Sequence, residues 1–350
     1  MGILKRIFRK KGATIVIGVH GLDNKPSKSL LRRWWKNSLT EGLKKIDGAP
    51  SHFKFEMAYW ADLMYKKPLN PRIKDPNHEL HIEEPYIPEP IPSPKIRHTF
   101  WHYWKLAYDR IKETIFLSRN GLANYEVLFD MVVKASFKDL DAYFNSDESA
   151  EEKLEMKAVK QKVRQRLLYL LRKHKDKRII ILAHSMGSLI AYDVLSQLPE
   201  QYEIESFISF GSPIGLPVVR EKMARDHKWD YKEDTLLPTP NCVHKWLNYS
   251  DPEDHFAVFN NLASYYSPNK HGIMPVDVIV DNDYKDWVTN NAHKSFGYLR
   301  TPQLAQEVGE TLGLKRKNVW QRGKALLKHK KEKKDSSFSG DPSYSPVSSD

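Results

Sequence analysis

A mostly parallel α/β sheet flanked by helices is the fold the sequence predicts, and three observations predict it. Apolar runs of strand length alternate with amphipathic stretches of helical spacing along most of the chain. The run Ile179 to Ala183 stops abruptly at His184-Ser185-Met186-Gly187 and gives way to Leu189, Ile190, Val194 and Leu195 at helical spacing, so Ser185 falls on a sharp strand-to-helix turn. The later strands end in loops that carry first acidic residues and then a histidine.

Taken in order, Met1 to Gly12 places Ile3, Leu4, Ile7 and Phe8 at helical spacing among cations, a pattern suited to an anionic membrane surface or to a solvated terminus. Arg6 stands where a myristoylation pattern wants Ser or Thr. Thr14 to Leu22 reads as a buried strand ending in a small-residue turn. It has no small-residue cleavage site, so it is not read as a secretory signal. Residues 28 to 46 put Leu31, Trp35, Leu39, Leu43 and Ile46 on one helical face, and Phe53 to Trp60 is the next strand.

Residues 68 to 94 hold eight of the 21 prolines, which excludes regular helix and sheet there. An aromatic helix follows, with Phe100, Trp101, Trp104 and Tyr108 on a broad face. Residues 61 to about 145 are therefore expected to form a largely helical, Pro-rich insertion capping the carboxyl edge of the sheet. Lys153 to Arg172 is amphipathic and feeds the strand before Ser185. Further strands are expected at Glu205 to Phe210, Val243 to Tyr249 and Val276 to Val280, with a closing helix carrying Leu304, Val308 and Leu312. The expected organisation is a basic amphipathic N-terminus at 1–12, one α/β domain at 13–314, and a basic then Ser-rich tail at 315–350 with too few apolar residues to fold alone.

Composition narrows the function. The chain has 350 residues, enough for a full core, and one cysteine, which excludes an intrachain disulfide framework and suits a reducing, cytoplasmic setting. No apolar run approaches the ~18 to 20 residues of a membrane helix. The net charge of +12 belongs to the ends: Lys5, Arg6, Arg9, Lys10 and Lys11 at one, and ten Lys/Arg between Lys315 and Lys334 at the other. The body between them is nearly neutral. Lys315 to Lys334 interleaves Val319, Trp320, Leu326 and Leu327 with cations, so peripheral association with anionic lipid is favoured over nucleic acid, for which one aromatic residue is a poor stacking platform. His78 and His81, near Asp75 and Glu79, match no metal-ligand spacing, and neither metal nor cofactor is expected.

The chemistry centres on Ser185. A strand-to-helix turn of this kind is the context of the G-x-S-x-G nucleophile elbow, with Ala183 in place of the first glycine and Gly187 as the second. A serine hydroxyl is a weak nucleophile unless a histidine takes its proton and a carboxylate steadies the resulting imidazolium. In this architecture the partners follow in the order Ser, acid, His. Of the 14 histidines, His293 alone falls between the last strand and the last helix. Asp251 and Asp254 both follow the strand Val243 to Tyr249. Asp254 is favoured because Asp251-Pro252 reads as a turn initiator, and Asp251 stays as the alternative acid. The oxyanion hole is assigned to the backbone N–H groups of Leu22 and Met186, each donor worth roughly 3 kcal/mol in such a site. Gly21 permits close backbone approach, and His20 supports that loop.

Together His20-Gly21, Ala183-His184-Ser185-Met186-Gly187, Phe210-Gly211-Ser212-Pro213, the stretch Asn248 to Asp254 and the stretch Asn291 to Leu299 resemble the lipase-like branch of the α/β-hydrolase superfamily. The resemblance is in particular to bacterial cytosolic serine hydrolases of uncharacterised substrate with a Tyr-Trp-Ala-Asp segment in an insertion, here Tyr59 to Asp62. It spans residues 13 to 314. It implies an α/β-hydrolase fold and hydrolysis of carboxylic esters through an acyl-enzyme, and it favours Asp254, ahead of Phe256-Ala257, as the acid. The expected substrate is a lipid-like acyl ester. The competing reading is a catalytically silent α/β-hydrolase scaffold recruited to an anionic membrane or nucleic acid by its basic ends.

Overall fold

The computed structural model describes residues 12–50, 52–83, 85–89, 150–199, 201–232, 235–254, 256–257, 261–284 and 291–314, with side chains from 158 onward in the helix that begins at 150. The elements run β1 (Thr14–Val19), α1 (Lys28–Lys44), β2 (Lys54–Ala58), α2 (Ala150–Lys173), β3 (Arg178–His184), α3 (Met186–Ser196), β4 (Ser206–Phe210), α4 (Pro217–His227), β5 (Leu237–Pro238), β6 (Trp246–Ser250), β7 (Tyr266–Ser267), β8 (Pro275–Ile279), α5 (Ser295–Arg300) and α6 (Pro302–Leu312).

Six strands pair in the order β2-β1-β3-β4-β6-β8, and every pairing is parallel. Two-residue β5 and β7 pair separately. A parallel sheet is covered on both faces, and the period-two alternation of β1 and β3 divides the core accordingly. Ile15, Ile17, Val19, Ile179, Ile181 and Ala183 face one apolar layer, shared with Leu167 of α2, Leu189 of α3 and Met223 of α4. Val16, Ile180 and Leu182 face the other, shared with Trp35 and Leu39 of α1, Phe296 of α5 and Leu304 of α6. Fully burying side chains of this size is worth roughly 1.5–3 kcal/mol each.

The chain leaves β1 toward β2 on one side and later returns to place β3 on the other, so the strand order reverses between β1 and β3. In open α/β sheets, ligands bind at the carboxyl ends of the strands at such a switch point. His20 follows β1 there, and Ser185 follows β3.

Differences from the sequence expectation are local. The strand expected at Val243 to Tyr249 begins at Trp246; Val243 makes only an isolated bridge to Ile204, and His244 precedes the strand rather than lying in it. Helix α4, not expected from the sequence, starts with Pro217 at its first turn; only four of its eleven residues are buried, so it shows little periodicity. All six residues of α5 are buried, which removes any amphipathic signal. In the Pro-rich stretch, the described residues after 68 form no helix or strand, only a bridge between Leu69 and Pro26. This chain wraps over α1 and α5: the Tyr284 hydroxyl donates to the Pro85 carbonyl at 2.8 Å, and Arg300 Nη2 donates to the Ile87 carbonyl at 2.9 Å. All but Gly12 of the amphipathic N-terminus at 1–12, the aromatic helix expected near 100–115, most of the insertion at 61–145 and the tail at 315–350 lie outside the described residues.

Candidate active site

The site begins with a backbone constraint. Ser185 has φ 52° and ψ −128°, a conformation sterically costly for a residue with a Cβ, at about 1–3 kcal/mol. The surroundings hold it there. The Ser185 N–H donates to the Phe210 carbonyl at 3.1 Å, and Ser188 N donates back to the Ser185 carbonyl at 2.9 Å as α3 starts. The helix passes so near β1 that a Cβ on Gly187 would lie 2.3 Å from the Val19 carbonyl oxygen and 2.6 Å from that of His20. Only glycine fits. Gly21 is crowded in the same way, since a Cβ there would stand 2.9 Å from the Ser185 Cβ.

His293 reaches this turn from the loop before α5. Its Nε2 lies 3.2 Å from Ser185 Oγ, and its Nδ1 lies 2.9 and 3.0 Å from the two carboxylate oxygens of Asp254. The structure thus brings Ser185, His293 and Asp254 into one hydrogen-bonded line. Asp254 is 1% exposed, and a carboxylate so buried is costly unless its lone pairs are used. They are used: besides His293, the Phe256 N–H donates to Oδ1 at 2.9 Å and the Tyr298 hydroxyl to Oδ2 at 2.7 Å. Burial and the adjacent Asp254 hold the Tyr298 phenol well above its usual range, so it stays protonated and donating.

The loop carrying His293 is clamped at successive carbonyls. Asn282 Nδ2 donates to the Ala292 and Lys294 carbonyls at 2.7 and 3.0 Å, and His184 Nε2 donates to the His293 carbonyl at 2.7 Å. His184 is an imidazole held well below its ordinary pKa, first by burial and then by the charge of His293, whose ring centroid lies 4.7 Å away. The Phe256 ring covers His293 at 4.3 Å. Gly211, at φ 54°, lies beneath all three groups; a Cβ there would meet Asp254, His184 and His293 at 3.0–3.2 Å.

Asp251 is placed apart from His293. Its Oδ1 accepts from the Glu253 N–H at 2.6 Å, closing its own turn, and its Oδ2 accepts from the Asn282 N–H. Burial pushes its carboxyl up to about 6. It acts on the site through Asn282, whose side chain holds the histidine loop.

At the other wall, the His20 Nδ1–H donates to the Gly21 carbonyl at 2.8 Å, and Nε2 accepts from the Trp60 N–H at 3.0 Å. The Trp60 indole stacks on the His20 ring at 4.8 Å and donates back to the His20 carbonyl at 3.0 Å. Burial, then the nearby Lys25, lowers His20 to about 3, so with both nitrogens engaged it is a neutral brace. Leu22 follows Gly21 on this loop and lines the same cavity as Ser185, and Met186 opens α3 directly after Ser185.

Ser185 and His293 open into a cavity of about 430 Å³. Leu31, Trp34, Ile82 and Phe296 supply an apolar wall, while Asp23, Lys25, Glu83 and Lys294 supply polar groups. His81 also lines it, with Nδ1 3.0 Å from the Ile73 carbonyl, and His78 caps a local turn through Leu80. Cys242, the single cysteine, is buried elsewhere, its thiol pushed by desolvation up to about 12.

Sequence reasoning missed Tyr298, Asn282 and the role of His184. Tyr298 carries a weak signal, five residues after His293 across the start of a helix; Asn282 carries none, because its partners are backbone carbonyls.

Among models of known protein families, one described as an alpha/beta hydrolase of unknown function (DUF900) matches residues 130–228, the span that includes β3, the Ser185 turn and α3. A search of the curated proteins found no match.

Proposed function

Starting from a chain that belongs to the α/β-hydrolase superfamily, we propose that it is a serine hydrolase of carboxylic esters working through an acyl-enzyme. The observation that carries this reading is the continuous contact from Asp254 through His293 to Ser185, at 2.9 and 3.2 Å, built on a serine held at positive φ.

In the proposed reaction His293 Nε2 takes the proton of Ser185 Oγ as the oxygen adds to the ester carbonyl. Asp254, already hydrogen-bonded to Nδ1, stabilises the imidazolium. The N–H groups of Leu22 and Met186 receive the oxyanion. Collapse expels the alcohol, which takes the proton from His293, and leaves the acyl group on Ser185. A water molecule then gives a proton to His293 and attacks the acyl carbon. A second collapse releases the acid and restores the serine.

The apolar wall beside Ser185 supports a lipid-like acyl group as the substrate's acid portion. The cationic stretches Lys5–Lys11 and Lys315–Lys334 support access from an anionic membrane face. The test is hydrolysis of a panel of acyl esters and phospholipids by the wild type and Ser185→Ala. Turnover by the wild type and its loss in the variant is the expected result. A wild type inert to the whole panel would instead favour the silent scaffold.

A further inference from the structure

Near-neutrality of the body conceals a local concentration of charge away from the Ser185 cavity. A groove of about 600 Å³ runs along β2 and is lined by Lys28, Arg32, Lys36, Lys54, Lys173 and Lys177, against one carboxylate, Glu56. Among the described residues β2 pairs only with β1, so it is the edge of the six-stranded sheet. Arg32 Nη1 already reaches a β2 carbonyl, that of Phe55, at 3.5 Å.

The spacing of the cations is regular. Lys28, Arg32 and Lys36 are four residues apart on α1, which sets them about 6 Å apart along one face of the helix. Alternate side chains of an extended strand are about 6.6 Å apart. Lys173 and Lys177 line the opposite rim, the former 2.9 Å from Glu56. The first turn of α1 holds no acid, and Lys28 opens it at the helix's positive end, an arrangement that costs helix stability. A concave groove also follows a linear chain better than the plane of a bilayer.

We infer that this groove binds an acidic, extended peptide segment of a partner protein, added as a strand to the outer edge of β2, with alternate carboxylates paired to the Lys28-Arg32-Lys36 stripe. Main-chain hydrogen bonds to the strand edge supply affinity, and the cationic rims select for acid. The inference is independent of the chemistry proposed at Ser185.

The test is fluorescence anisotropy of the full chain with a labelled peptide of alternating Glu and Thr, with a thymidine oligonucleotide of equal charge in parallel. Combined Lys28→Glu, Arg32→Glu and Lys36→Glu should weaken the peptide roughly tenfold or more while the thermal midpoint does not fall. Lys173→Glu with Lys177→Glu, from the other rim, should weaken it independently. Reversal of Lys328, Lys330 and Lys331 in the tail should not. Methylating alternate peptide amides should also reduce affinity. Wild-type affinity in both groove variants, loss confined to the tail variant, undiminished binding of the methylated peptide, or tighter groove-dependent binding of the oligonucleotide each overturns the inference.

Discussion

Ser185 and His293 face each other across 3.2 Å, but the two sides of that contact are held by different physics. The serine is fixed by its backbone: a positive φ, a glycine two residues on and a helix pressed against β1 leave it no other place. The histidine is fixed by side chains reaching in from elsewhere, His184 and Asn282 on its loop and Asp254 on its ring. The first device fails as a unit when crowded; the second loosens by degrees as single hydrogen bonds are removed.

The two aspartates sharpen this contrast most. Asp254→Asn is expected to lower ester turnover about 10⁴-fold, because an amide neither stabilises imidazolium nor fixes the tautomer. Asp251→Asn should stay within about tenfold, since its side chain acts on the histidine loop through Asn282 and its backbone contacts to Tyr298 and Asp254 are kept. Steady-state kinetics of both variants on one ester measures the difference, and equal losses would contradict the assignment of the acid.

Next comes the backbone side. Gly187→Ala forces a Cβ onto two fixed carbonyl oxygens and should cost about 3 kcal/mol or more in stability, read by chemical denaturation. An unchanged unfolding midpoint would mean that the elbow is looser than described.

The His20 wall offers a pH test. Its folded-state pKa of about 3 lies below the ordinary imidazole value of 6.5, so the unfolded chain binds the extra proton between these values. Its stabilising contribution is complete above pH 6.5 and is lost as pH falls toward 3. Denaturation at about pH 7 and about pH 4.5 should show a smaller acid-induced loss in His20→Asn than in the wild type. Identical losses would show that His20 is not a buried neutral brace.

Smallest is Tyr298→Phe, which removes one donor from Asp254 and leaves two. Turnover should fall by about tenfold or less, with KM unchanged.

What was legible follows the same division. The Ser185 turn could be read because strain and close packing dictate residue types at fixed spacing, Ala183, Ser185 and Gly187 among them. The parallel strands could be read because burial on both faces makes them continuously apolar, as in Ile179 to Ala183. Asp254 and His293 were reached by chain order, with Asp251 left open, since a carboxylate's partner is set by tertiary contacts. Asn282 acts through hydrogen bonds spanning 10 and 12 residues, and His184 and Tyr298 through ones spanning 109 and 44, and no local pattern encodes these. Helices α4 and α5 were missed because neither shows an amphipathic stripe.

The most direct test of the central claim is covalent labelling by a fluorophosphonate, with the adduct located by mass spectrometry. The account predicts a single adduct on Ser185, absent in Ser185→Ala and much slower to form in His293→Ala. No adduct on the folded wild type, or one on another residue that persists in Ser185→Ala, would contradict it.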